Sequence, residues 1–143
     1  MVLYAKDIVD RDFIALPRST TVFEAAKIMK EKRHGFVVIT TADGRPEGIV
    51  TEWDLVSKII AEEKNPNEVR LEDIMTKEVI SVKANDGIDY VAKVMTDKMI
   101  RRLLVLENDK VLGFITSRTI VKNLNEYVDR VSAQIARLQA PPF

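Results

Sequence analysis

The sequence predicts an α+β fold of two strand–helix–strand–strand–helix units, packed about a pseudo-twofold axis and followed by a long C-terminal helix. Apolar residues recur at helical spacing over Val22–Lys32 and again from Ile88, each time flanked by short β-branched or leucine-rich runs. The first pattern returns in register, with Phe13/Val79, Val22/Ile88, Ala26/Ala92, Met29/Met95 and Val37/Leu103 all 66 positions apart. After a turn the offset is 65, for Gly48/Gly113 and Thr51/Thr116, as one residue fewer in the second turn requires. Neither half buries its helical faces alone, so the halves are expected to pack on each other.

Val2, Leu3, Ile8 and Val9 mark residues 1–9 as a short helical lead-in. Phe13-Ile14-Ala15-Leu16 reads as a strand stopped by Pro17, and Ser19-Thr20-Thr21 as a helix start. The Val22–Lys32 helix turns Val22, Ala25, Ala26, Ile28 and Met29 inward, with Gly35 as its expected stop. Phe36-Val37-Val38-Ile39 is a buried strand, Ala42-Asp43-Gly44-Arg45 a turn and Gly48-Ile49-Val50 the next strand. A helix is expected from about Glu52 to Glu62, with Leu55, Val56, Ile59 and Ile60 inward. Lys64-Asn65-Pro66-Asn67 breaks it as a short polar connector. The second unit has Val79-Ile80-Ser81-Val82, a helix opened by Asn85-Asp86-Gly87, Leu103-Leu104-Val105-Leu106, a turn at Glu107–Lys110, and Gly113-Phe114-Ile115-Thr116. The last helix carries Val121, Leu124, Val128, Val131, Ile135 and Leu138 at spacings of 3 and 4, a heptad seam suited to a dimer contact or to folding back on its own domain, and Pro141-Pro142 ends it.

The 143 residues suffice for one compact domain that buries roughly two-thirds of its unfolded surface. At 46% hydrophobic and 31% charged the chain is globular rather than disordered. Lys+Arg and Asp+Glu are both 22, and this balance argues against general nucleic-acid binding, which needs a basic face. No cysteine is present, which excludes disulfides, zinc-thiolate sites and cysteine nucleophiles. His34 is the one histidine, so neither a metal site nor a Ser-His-Asp set is expected. No signal-peptide core opens the chain and no apolar run approaches the ~18 residues of a membrane span, so a cytoplasmic protein without membrane contact is expected.

Chemistry concentrates in Gly48-Ile49-Val50-Thr51-Glu52-Trp53-Asp54, a buried strand running into a helix. A helix start presents unpaired N–H groups and a positive dipole end, which suit phosphate, and an Asp one turn later offers two acceptors for ribose hydroxyls. Thr51 and Asp54 are equally a helix-capping pair. On the residues alone both readings stand.

The tandem units, each with a Gly-hydrophobic-hydrophobic-Thr segment after the third strand, resemble the cystathionine-beta-synthase (CBS) domain family over roughly residues 5 to 125. The full motif, with its closing Asp, stands only in the first unit. Asp73-Ile74-Met75-Thr76 looks like the family's lead-in to a repeat, and Arg101-Arg102-Leu103-Leu104-Val105-Leu106-Glu107-Asn108-Asp109 like its second-strand signature. The expected division is repeat 1 with its lead-in at 1–63, a connector at 64–70, repeat 2 at 71–125 and a helical extension at 126–143. The resemblance implies a Bateman module, a regulatory pair without catalysis. Many members bind AMP, ADP, ATP or S-adenosylmethionine in a cleft with two related pockets, and stand-alone pairs usually form homodimers. No further cofactor is implied, and a regulated partner protein stays unidentified.

Carried over residue by residue, the resemblance gives Thr51 a hydrogen bond to ribose or phosphate, Asp54 the ribose hydroxyls and Ile49 a place against the base. The base would also lie against Thr76, Lys77, Val79, Ile80, Ile100 and Arg101 of the other repeat. In repeat 2, Thr116 keeps the hydroxyl but Thr119 stands where Asp is expected. That pocket, lined by Phe13, Ile14, His34 and Gly35, is therefore expected to be degenerate or empty. Arg101, Arg102 and Arg118 are the candidates for phosphate, Arg118 standing where relatives carry a basic ligand and Trp53 being its repeat-1 counterpart. Their alternative is a surface role, paired with Glu52, Glu107 or solvent. The functional expectation is an adenosine-nucleotide sensor. Its alternative is a ligand-free interaction scaffold in which Thr51–Asp54 is only a cap.

Overall fold

The computed structural model describes residues 3–139, with Gln139 described by its backbone alone. Val2 of the expected lead-in and the Pro141-Pro142 stop lie outside the described residues. The elements run α1 (Ala5–Ile8), β1 (Ala15–Leu16), α2 (Val22–Lys32), β2 (Phe36–Thr40), β3 (Pro46–Thr51), then α3, which begins as α-helix (Glu52–Asp54) and continues as π-helix (Leu55–Ile60). They continue as α4 (Leu71–Ile74), β4 (Ser81–Lys83), α5 (Ile88–Lys98), β5 (Arg102–Glu107), β6 (Lys110–Thr116) and α6 (Ser117–Gln139). Each unit holds a three-stranded sheet, β1-β2-β3 and β4-β5-β6, with the first pair parallel and the second antiparallel.

Three apolar clusters hold this α+β fold together. One packs α2 and Ile59 onto Val37, Ile39 and Val50; another packs α5 and Ile120 onto Leu103, Val105 and Ile115. Alternate residues of the same strands point the other way, as strand geometry requires. Phe36, Val38, Leu104 and Phe114 form the third cluster, between the two sheets. There the rings of Phe36 and Phe114 meet edge to face at 4.9 Å, and the Arg102 guanidinium lies 4.2 Å above Phe36. Phe36 and Arg102 are equivalent positions of the two repeats, so the pseudo-twofold axis passes through an unlike pair.

The lead-in segments exchange partners. α1 places Ala5 and Ile8 in the core of repeat 2, whereas α4 places Leu71 and Ile74 in the core of repeat 1. Isolated bridges repeat the exchange symmetrically: Tyr4 pairs with Gly87 and Thr21 with Arg70, Asp10 pairs with Phe114 and Ile49 with Thr76. Here the glycines of the motif act through their missing side chain. A Cβ on Gly113 would stand 2.1 Å from the Asp10 carbonyl oxygen, and one on Gly48 2.7 Å from the Met75 sulfur and 3.0 Å from the Thr76 carbonyl oxygen.

Several expectations are corrected. The first strand of each unit is shorter or later than read, at Ala15–Leu16 and Ser81–Lys83, because its ladder to the second strand covers only those residues. α2 stops at Arg33, not Gly35. Arg33 adopts φ 56, and the N–H of His34 closes the helix on the Met29 carbonyl. Met99 repeats this at φ 54. Gly35 instead leaves room for the Glu52 carboxylate, which a Cβ would meet at 3.0 Å. In α3 the wider π turn, closed by the Ala61 N–H on the Val56 carbonyl, buries Ile59 but leaves Val56 at 44% and Ile60 at 71% exposure.

Candidate functional site

The antiparallel β2–β3 ladder carries Thr51 to the start of α3, where its hydroxyl accepts from the Asp54 N–H at 3.4 Å. Asp54 Oδ2 accepts in return from the Thr51 N–H at 2.9 Å and from the Thr51 hydroxyl at 3.3 Å. The other oxygen, Oδ1, pairs with Lys58 Nζ at 3.0 Å, and the same ammonium donates to the Ile74 carbonyl at 2.7 Å. Asp54 is thus a buried cap with both oxygens engaged, bound through Lys58 to the segment that leads into repeat 2. It does not line the cleft beside it.

That cleft encloses about 630 Å³ between Ile49 and Thr51 of repeat 1 and the lead-in, β4 approach, β5 start and α6 start of repeat 2. It gathers ten of the residues singled out from the sequence: Ile49, Thr51, Thr76, Val79, Ile80, Ile100, Arg101, Arg102, Thr116 and Arg118. Asp54 and Lys77 stand apart from its wall. The wall adds Glu78, Leu103 and Ser117, which sequence reasoning missed. Glu78 is brought to the wall by a tight turn in which the Val79 N–H donates to the Lys77 carbonyl at 3.0 Å, a local bend that no apolar spacing in the sequence signals.

One wall is apolar, from Ile49, Val79, Ile80 and Ile100. The other is cationic. Among the described residues no carboxylate lies within 4.0 Å of the guanidinium groups of Arg101, Arg102 or Arg118. Partial desolvation pushes the Arg102 pKa down, and the charge of Glu52 opposes that shift. The Glu52 pairing considered for these arginines is therefore no closer than a field effect on Arg102.

The pseudo-equivalent side differs. Thr116 and Thr119 join hydroxyl to hydroxyl at 2.9 Å, and the Thr119 N–H donates to the Thr116 hydroxyl at 3.2 Å. His34 Nε2 lies 3.3 Å from an Asp12 carboxylate oxygen. No group of three or more His, Asp or Glu side chains suited to a metal occurs among the described residues.

Two segments, residues 5–61 and 71–126, match the CBS domain. The chain belongs to the CBS domain family. It is a CBS pair, a module that generally serves as a regulatory ligand-binding sensor. An uncharacterized protein of Methanopyrus kandleri is 36% identical over 134 residues, 93% of this chain and 68% of that protein. A homoserine O-acetyltransferase of Methanohalobium evestigatum is 31% identical over 125 residues, 87% of this chain but only 24% of the enzyme. The CBS pair thus matches a minor part of that enzyme, and both segments matched in this chain are CBS domains. Among solved structures, a CBS domain pair in complex with 5′-methylthioadenosine and S-adenosyl-L-methionine superposes with a TM-score of 0.75 at 28% identity, covering 89% of this chain and 99% of that one. A hexameric CBS-CP12 protein from bloom-forming cyanobacteria gives 0.73 at 33% identity, covering 85% of this chain and 67% of that one. Among the described residues no helix of the CBS pair is long and apolar enough to cross a membrane.

Proposed function

We propose that the cleft binds an adenosine-type ligand (AMP, ADP, ATP or S-adenosylmethionine) and that the chain is a regulatory sensor without catalysis. The observation that carries this reading is the convergence of Arg101, Arg102 and Arg118, none ion-paired among the described residues, on a 630 Å³ cleft whose other wall is apolar. Adenine fits the Ile49–Val79–Ile80–Ile100 slot and the arginines supply charge-assisted bonds to an anionic tail. Thr51 and Thr116 offer hydroxyls to the sugar. A ribose that reaches Asp54 displaces Lys58 from Oδ1. Glu78, the acid in the wall, suits a ligand whose tail also carries a cation, and the relative solved with S-adenosyl-L-methionine supports testing that class beside the nucleotides.

The active unit is a homodimer, because Trp53, Val56 and Ile60 on α3 and the seam of α6 are exposed apolar faces on the single chain. The same faces favour the second reading, a ligand-free scaffold. A thermal-shift screen with AMP, ADP, ATP, S-adenosylmethionine and 5′-methylthioadenosine separates the two. A ligand at ~100 times its dissociation constant adds about 2.7 kcal/mol of stability. A melting curve unmoved by all five leaves the scaffold.

A further inference from the structure

We propose that the α6 helices of two copies pair as a parallel, two-stranded coiled coil. The proposal rests on the homodimer reading above and adds to it the element, its register and its direction. α6 runs 23 residues to Gln139, whereas the family match ends at residue 126, so its second half is an addition to the CBS pair. Its anchor to its own domain is Ile120, which is buried against α5 and α1. The seam lies one residue round the helix from that anchor and faces out, with Val121 at 59%, Val128 at 57% and Leu138 at 85% exposure.

The seam has the chemistry of a particular coil. With Val121 at heptad position a, the a positions are Val121, Val128 and Ile135 and the d positions Leu124, Val131 and Leu138. β-Branched residues at a with leucine at d favour two parallel strands, because they match the packing geometry of each layer in that arrangement. The flanking e and g positions decide the partner. They are Asn125, Ser132 and Gln139 at e, and Ile120, Tyr127 and Gln134 at g, none of them charged. Every charge of the helix beyond Val121, from Lys122, Glu126, Asp129, Arg130 and Arg137, falls on b, c or f. Two identical helices therefore meet with no like-charge contact across the seam, whereas a different partner would find no charge there to recognise. The occupant is a second copy of this chain. Two and a half heptads are short for a coil standing alone, and the lobes complete it. At its N-terminal end the seam opens, through Leu124, into a mainly apolar groove of about 400 Å³ lined also by Leu3, Ile88, Ala92 and Tyr127, with Asp89 as its one charged residue among those described, and a parallel pair brings the two grooves together at one end.

The absence of cysteine makes a direct test possible, since one introduced thiol is the only thiol. In a parallel coil the Ile135→Cys variant faces itself across an a layer, within disulfide range. Mild oxidation of the full chain is expected to convert its dimer into a covalent one, while Asp129→Cys, on the outer face, stays unlinked. A Val128→Asp/Ile135→Asp variant, altered only beyond the lobes, is expected to keep the cooperative unfolding of its CBS pair and to raise the dimer dissociation constant at least about tenfold by sedimentation. An unmodified chain that sediments as a monomer defeats the homodimer reading and the coil together. A dimer that resists the double aspartate variant, or that cross-links only when Ile135→Cys is mixed with Leu124→Cys as antiparallel strands would, overturns the coil and leaves the dimer standing.

Discussion

The start of α3 and the start of α6 hold equivalent places in the two repeats and differ in electrical character. At Thr51 the cap is a carboxylate, and Lys58 fastens it to the Ile74 carbonyl. At Thr116 two hydroxyls satisfy each other, and Asn123, which replaces Lys58, turns back to the Thr119 carbonyl at 2.8 Å. The cationic residues are distributed the opposite way, with Arg101 and Arg118 in repeat 2 where repeat 1 has Gly35 and Trp53. A duplicated fold thus keeps its caps while the charges drift apart, and the cleft between the repeats joins the hydroxyl of the first to the guanidinium groups of the second.

The comparison can be broken most forcefully at the glycines. Gly113→Ala sets a Cβ against the Asp10 carbonyl, a backbone atom that cannot swing aside, and is expected to cost more than about 3 kcal/mol in urea unfolding. Gly48→Ala meets chiefly the flexible Met75 side chain and is expected to cost about 1–2 kcal/mol. Equal losses would mean that the crossings are alike despite their different neighbours. Next, Asp54→Ala leaves the Thr51 N–H without its acceptor and Lys58 without its carboxylate, an expected loss of about 2 kcal/mol, against about 0.5–1 kcal/mol for Thr119→Ala. The same unfolding experiment ranks them, and a reversed order would place the weight on the neutral cap.

Two smaller effects sharpen the ligand side. Calorimetry with AMP is expected to show about tenfold weaker binding for Arg118→Ala and no change for its counterpart Trp53→Ala. Lys58→Met frees Asp54 Oδ1 and is expected to tighten AMP binding about threefold. Weaker binding would instead make Lys58 a residue that holds the cleft wall in place through Ile74.

Much of this was legible in the chain because it is written locally. α2 over Val22–Lys32 follows directly from apolar spacing, and the 66-residue register brings the equivalent α5 with it. The ten cleft residues follow from the resemblance to the CBS family, carried over position by position, and not from local pattern alone. What escaped depends on contacts distant in sequence. Nothing in Leu71 or Ile74 says that they fill the core of the repeat before them, since any buried apolar pair would look the same. Glu78 rather than Lys77 faces the cleft because the chain turns there, the Val79 N–H closing on the Lys77 carbonyl, and that turn carries no glycine, proline or asparagine to mark it. Arg33 ends α2 at a positive φ that sequence rules reserve for glycine, and the two closing hydrogen bonds offset that strain.

The exchanged arms α1 and α4 bear on how such a chain arises. A lone ancestral unit, with its own arm reaching outward, would close its core only by embracing a twin. In the tandem chain the two units are joined covalently, and each supplies the arm that the other's core requires. Neither half can be excised from the chain intact, for cutting the connector leaves each core still holding the other's arm.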